Sequence, residues 1–346
     1  MDIFDPVILL VLVAGLYMAW NIGANDLANS MGTSVGTGAL SIKQVVIIAG
    51  TLELVGALLL GDRVTTKIAK GIVPIEYIMS VDPNLVIIGS LAAILAAGFW
   101  ITFATFYHLP VSTTHSIVGA VTGFGLVSTM FIDTFSIEQI KWIVLGQIVI
   151  SWITSPLIGA LVAFIIFTII RIFLLARVDD PYKLEKKFGY LQILSACFVA
   201  LAHGSNDVAN AIGPLSAALS AANITEYGVI PVWVLAIGGI GIVIGLGTWG
   251  WKVIETVGSS ITELTPTRGF SAEFATAIVV FGHSYSSLPI STTHTLVGAV
   301  VGVGLAGGLA AVDLSVIKKI IVSWVITVPV AALTSGLIFV ILMKVL

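Results

Sequence analysis

The stretch Gly23-Ala24-Asn25-Asp26-Leu27-Ala28-Asn29 returns later in the chain as Gly204-Ser205-Asn206-Asp207-Val208-Ala209-Asn210, so that Asn25 maps onto Asn206 at a shift of 181. A second stretch, Leu109-Pro110-Val111-Ser112-Thr113-Thr114-His115, returns as Leu288-Pro289-Ile290-Ser291-Thr292-Thr293-His294, and here Ser112 maps onto Ser291 at a shift of 179. Two motifs in the same order at nearly equal shifts mark two copies of one unit. The second match runs on through Val118-Gly119-Ala120-Val121 and Val297-Gly298-Ala299-Val300, and Ser151-Trp152 maps onto Ser323-Trp324 at a shift of 172. The copies are expected over 1–178 and 188–346, joined by a basic stretch at 179–187.

What surrounds the motifs is apolar. Of 346 residues, 58% are hydrophobic and 10% charged, and the mean hydropathy is +1.12. A water-facing domain carries about a quarter charged residues, so most of this surface must face lipid. Apolar runs at 6–20, 44–60, 85–105, 142–170, 230–249 and 320–342 approach the roughly 20 residues needed to cross a hydrocarbon core of about 30 Å. The runs are continuous, which favours helices over the alternating strands of a barrel. The expected fold is an all-α, multi-pass integral membrane protein of two homologous repeats, with about 10–12 membrane segments that include Gly-rich half-membrane hairpins. The repeats are inverted if each copy crosses an odd number of times, the arrangement expected here, and parallel otherwise.

The first run follows Asp2 and Asp5 without a basic region, which points to a retained helix rather than a cleaved signal. Arg171, Arg177, Lys183, Lys186 and Lys187 gather around Asp179-Asp180-Pro181; by the positive-inside rule this stretch is cytoplasmic. A single Cys197 excludes an internal disulfide.

An Asp within an apolar segment must face a cavity, a partner or an ion. On a helix Asn25 and Asn29 share a face with Asp26 beside them, and Gly23, Gly32 and Gly36 ease either unwinding or close helix approach. Carboxylate and amide oxygens are hard ligands suited to Na+ by analogy with other hard cations. Interhelical hydrogen bonding is the structural alternative, but packing alone does not require the carboxylate in both copies. In the second motif, Pro110 and Pro289 suit the first turn of a helix. The Ser-Thr-Thr run then offers hydroxyls and free N–H groups at the positive end of the helix dipole, an anion cradle without a fixed cation. The Gly-rich stretches 110–131 and 289–306 are the candidate half-membrane arms.

With both motif pairs in view, the chain resembles the inorganic phosphate transporter family of sodium–phosphate symporters over essentially its whole length, with a short linker where larger relatives carry a long loop. Leu27 and Ser205 depart from the usual Val and Ala without removing a ligand. The resemblance implies that phosphate lies between Asn25, Asp26, Ser112 and Thr113 of one copy and Asn206, Asp207, Ser291 and Thr292 of the other. It implies Na+ as the co-transported ion, held by Asn25, Asp26, Asn206 and Asp207 with Thr114 and Thr293. Glu53 and Glu273 occupy positions where the family has important glutamates and are counted with the Na+ ligands; the residues alone allow Na+ binding, a proton-accepting role or a buried pair with Lys or Arg. A homodimer in the plasma membrane, with no organic cofactor and no nucleic-acid partner, is the further expectation.

His115 and His294 are repeat-matched and are expected to orient the site or to satisfy backbone carbonyls, whereas His108, His203 and His283 lack partners and read as packing or interface residues. Trp20, Trp100, Trp142, Trp233 and Trp249 read as an aromatic belt. There is no Walker A sequence, which argues against direct ATP coupling. Secondary transport of phosphate with Na+, by alternating access, is the leading expectation. H+-coupled phosphate or sulfate uptake is the near alternative; an intramembrane hydrolase using Asp26 and Asp207, or an anion channel, are remote ones.

Overall fold

The computed structural model describes residues 2–254, 264–308 and 314–346. Those residues form eleven α-helices and no strand: α1 (Pro6–Gly36), α2 (Ile42–Gly71), α3 (Ile75–Val81), α4 (Pro83–Phe106), α5 (Thr113–Ser128), α6 (Trp142–Ile170), α7 (Pro181–Ala221), α8 (Val232–Trp249), α9 (Pro266–Tyr285), α10 (Thr292–Gly307) and α11 (Leu314–Val345). Seven of them (α1, α2, α4, α6, α7, α8 and α11) are long and apolar enough to cross a bilayer. The protein is a multi-pass integral membrane protein. Helices α5 and α10 have 16 residues each, about 24 Å at 1.5 Å per residue, short of a full crossing.

Local chemistry sets several starts. Asp5-Pro6, Asp82-Pro83 and Asp180-Pro181 each place an N-cap carboxylate before a proline in the first turn, and the Asp side chains accept from Val7, Asn84 and Lys183 N–H. The third of these makes residues 181–187 the opening of α7, so most of the expected linker is helical.

Partners are exchanged between the halves. Helix α1 packs on α8, α2 on α7, α5 on α11 and α6 on α10. Glycine makes these crossings possible. A Cβ at Gly23 would meet the carbonyl of Ile242 and one at Gly245 that of Trp20. The matching crossing sets Gly204 on Glu53 and Gly56 on Leu201. Gly119 and Gly123 on α5 lie against Val328 and Ala332, as Gly298 and Gly302 on α10 lie against Pro156 and Ala160. Small residues thus let backbones touch where apolar side chains give no preference over lipid. Of the two roles open to these glycines the helices take close approach: α1 runs unbroken through its Asn-Asp motif. Gly245→Ala should destabilise the protein by about 1–3 kcal/mol through overpacking, read as a lower melting temperature of the purified protein. An unchanged melting temperature would mean that the pair can part freely.

Candidate functional site

The motifs converge at the centre of the helix bundle. Two residues beyond the ends of α4 and α9, His108 and Ser287 take the left-handed region at φ 58° and 57°, which turns the chain into a short extended segment before α5 and α10. Asn25 fixes the first of these. Its Nδ2 donates to Leu109 O (3.2 Å) and Thr105 Oγ1 (2.8 Å), and its Oδ1 accepts from Val111 N (3.3 Å). This withdraws the backbone around Pro110 from the helix, so the proline lies ahead of the first turn instead of in it. Ser112 is the N-cap, accepting from His115 N at 3.1 Å, and Ser291 does the same for His294 N at 3.1 Å. Their hydroxyl protons stay free to donate onward.

Each Asn-Asp helix reaches the cradle of its own copy and that of the other. Thr113 donates to Asp26 Oδ2 and Thr292 to Asp207 Oδ2, both at 2.9 Å. Asn29 donates to Asp26 Oδ1 (2.7 Å) and across to Thr293 (2.8 Å). Asn210 donates to Asp207 Oδ1 (3.1 Å) and across to Thr113 (3.2 Å) and Thr114 (3.1 Å). Thr114 and Thr293 close the crossing on the carbonyls of Ile290 (2.9 Å) and Val111 (3.2 Å). All these side chains are buried.

The two carboxylates are not equivalent. Asp207 also accepts from Asn206 at 2.9 Å and lies 2.9 Å from His203 Nε2, which stands 3.9 Å from Asp26. The other ring nitrogen of His203 is 3.1 Å from Glu53 Oε2, and Glu53 Oε1 accepts from Ser30 (2.9 Å). His203 therefore sits among three buried acids, the opposite of the packing role its lack of a repeat partner suggested. At the same shift of 181 its counterpart is Ile22, and the crossing that puts Gly204 on Glu53 puts Gly23 on Ile242. One copy carries a polar pair where the other carries two isoleucines.

Glu273 stands apart from this centre. It accepts from Thr33, from Ser34 (2.6 Å), from Ser195 (2.8 Å) and weakly from Gln192 (3.5 Å). All of these groups are buried.

Asn29 and Asn210 were not among the expected ligands, yet both lie in this centre. Their Oδ1 atoms, with that of Asn206, are buried without a hydrogen-bond partner, next to carboxylates. Asn25, expected to hold phosphate and Na+, has both ends of its amide engaged with protein. The signal was present, since Asn29 and Asn210 match under the repeat and sit three residues after each Asp. His203 gave no comparable signal. Two of the belt tryptophans also bridge helices: Trp20 donates to Thr248 (2.8 Å) and stacks on Trp249, and Trp100 donates to Thr327 (3.0 Å).

Buried acceptors beside hydroxyl-rich helix starts can hold a cation and an anion together. Asp26, His203 and Asp207 present ligand atoms all within 4.8 Å, yet an aspartyl dyad sharing one proton would need its carboxylates in direct contact, and here the imidazole stands beside both. The fold and this centre define a membrane transporter. The sequence profile of the phosphate transporter family matches residues 22–335, and the chain belongs to that family: it is a phosphate transporter and not an enzyme. It is 43% identical to a protein of Pyrococcus abyssi that carries a provisional phosphate-permease name, over 98% of each chain. It is 41% identical to the chloroplastic inorganic phosphate transporter 2-1 of Arabidopsis thaliana, over 93% of this chain and 70% of the other. A solved structure described as the sodium-dependent phosphate transporter superposes with a TM-score of 0.88 at 38% identity, covering 99% of this chain and 100% of that one.

Proposed function

We propose that this chain imports inorganic phosphate coupled to Na+, by alternating access of one central site built from two inverted repeats, 1–178 and 188–346. The observation that carries the reading is the pairing of acid and hydroxyl groups: Thr113 on Asp26, Thr292 on Asp207, each beside an amide oxygen with no partner. The sodium-dependent transporter that superposes on the chain supports the choice of ion. A homodimer remains part of the proposal on the family resemblance.

Phosphate is held by Ser112, Thr113, Ser291 and Thr292, through their hydroxyls and the free N–H groups at the starts of α5 and α10. Na+ is held by Asp26 with Asn29 and Thr293, and by Asp207 with Asn206, Asn210 and Thr114. Asn25 passes from ligand to positioning residue. Glu53 acts on the central site through His203, and Glu273 with its hydroxyls forms a separate cation position. Coupling follows from charge. An anion about 4 Å from an uncompensated carboxylate is opposed by about 4 kcal/mol at an effective dielectric near 20. Na+ on that carboxylate removes the opposition, so each solute strengthens the other's binding.

Reconstituted liposomes should accumulate labelled phosphate under an inward Na+ gradient and fail to do so with choline in its place. Equal uptake in choline sinks the coupling. H+ coupling is the second reading, favoured by the imidazole of His203 among three acids; accumulation under an imposed pH gradient without Na+ would select it. Ser112→Ala and Ser291→Ala should each weaken phosphate by about 0.5–3 kcal/mol, the range from a neutral hydrogen bond to one made to a charged group, seen as a higher half-saturation for phosphate. Unchanged affinity in both would remove these hydroxyls from the site.

A further inference from the structure

From Asp26, α1 carries Ser30, Thr33, Ser34 and Thr37 at i+4, i+7, i+8 and i+11, which is one side of the helix followed for about 16 Å. Ser30 donates to Glu53 (2.9 Å), Thr33 and Ser34 donate to Glu273, and Thr37 donates to Gln192 Oε1 at 2.8 Å. Helix α7 completes the row from across with Ser195 and Gln192, both of which donate to Glu273. The row ends at a cavity of about 460 Å3 between the last turn of α1 and the first turns of α7, where Thr37, Glu185 and Lys186 are in the wall. This is the face of the membrane that carries the basic stretch 179–187.

Under the repeat, every member of the row has an apolar counterpart. Ser30, Thr33, Ser34 and Thr37 map onto Ala211, Pro214, Leu215 and Ala218 at the shift of 181, and Gln192 and Ser195 map onto Val11 and Ala14. Glu273 maps onto Ile94 at the shift of 179. All seven counterparts are buried. The way from the centre to the opposite face is thus sealed with hydrocarbon where this one is lined with oxygen. Polar side chains inside a membrane are costly and mark ion pathways. The hydrogen-bond partners of Glu273 are all uncharged, so the row attracts a cation and repels phosphate.

One side chain closes the row at the cavity. Thr37 is half-buried in the cavity wall, and Gln192 behind it is fully buried. Thr37 holds Gln192 Oε1, Gln192 Nε2 points at Glu273 from 3.5 Å, and the amide lies so close on Gly269 that a Cβ there would collide with it.

We propose that Na+ leaves the centre toward the basic face along this row, by way of Glu273, and that Gln192, latched by Thr37, is the gate at its end. The proposal rests on the Na+ coupling and the cation position at Glu273 given above. Turning the Gln192 amide away from Thr37 joins the cavity to Glu273, and oxygen ligands then follow one another from Asp26 to the surface.

The test replaces the single Cys197 by Ser and places a cysteine behind the gate with Ser34→Cys. Its reaction with a small, membrane-impermeant cationic methanethiosulfonate is timed in membrane vesicles of either orientation. Gln192→Ala, and the milder Thr37→Val, should each speed the reaction at least tenfold from the basic face and leave it unchanged from the other. Saturating Na+ should slow it, and an anionic reagent of equal size should react at least tenfold more slowly. With the native Ser34 in place, Gln192→Ala should also raise exchange of labelled Na+ in the absence of phosphate at least fivefold, which a merely structural glutamine would not do. Unchanged rates in both gate variants, or acceleration from the opposite face, would overturn the gate. Equal reaction of the anionic reagent would overturn the cation route. Phosphate accumulation by the unaltered chain that is indifferent to Na+ would sink the coupling instead, and the labelling rates would still decide the gate.

Discussion

Asp26→Asn lowers sodium-driven phosphate accumulation by two to three and a half orders of magnitude, and it does so chiefly by weakening Na+. The estimate takes the cost of removing one partner from a buried charge pair, about 3–5 kcal/mol, at about 1.4 kcal/mol per factor of ten. Asp26 accepts from Thr113 and Asn29, with a long third contact from Thr293 at 3.5 Å. It thus keeps more lone-pair capacity for a cation than Asp207, which faces Thr292, Asn206, Asn210 and His203. Asp207→Asn should accordingly do something different. Its new amide N–H must point at one of four donors, so folding suffers along with transport. Sodium titrations of uptake, paired with melting curves of the two variants, separate these outcomes. Equal shifts in sodium half-saturation with equal melting temperatures would contradict the unequal surroundings.

His203→Leu is the second large effect. It takes away the group that stands among Asp26, Asp207 and Glu53, and leaves three buried acids without it. Loss of about 3–5 kcal/mol is expected from breaking such a contact, with uptake falling to background. The pattern has an internal check. Adding Glu53→Gln to His203→Leu removes one of the stranded charges, so the double variant should melt higher than the single one while still failing to transport. Residues in one network couple by about 0.5–3 kcal/mol; a double variant that melts lower by the simple total would show that His203 and Glu53 act independently.

The helical membrane fold, the paired motifs and most of the central side chains were legible in the sequence, because duplication writes the same residues twice. Asp26 and Asp207, Thr113 and Thr292, and Thr114 and Thr293 all stand where their matched positions led one to look. Legibility failed where the copies differ. His203 has Ile22 as its counterpart and Glu53 faces it from another helix, so only the α2–α7 crossing, made at Gly56 and Gly204, reveals the pair. The different surroundings of Asn25 and Asn29 were equally hidden. Both lie on one helix face, and what separates them is that the backbone around Pro110 folds back onto one of them.

The exchange of helix partners has a consequence for how the protein is made. Glycine faces on α1, α2, α5 and α6 find their companions on α8, α7, α11 and α10, all synthesised later. As the nascent chain enters the bilayer, the first half must wait with those seams open to lipid, its Asp26 and Glu53 lacking final neighbours. Native contacts between residues so far apart in sequence form slowly. Biogenesis should then proceed through a long-lived, half-inserted species that is a natural client for chaperones and membrane quality control. Two half-chains expressed separately should be degraded, and expressed together they should rescue each other.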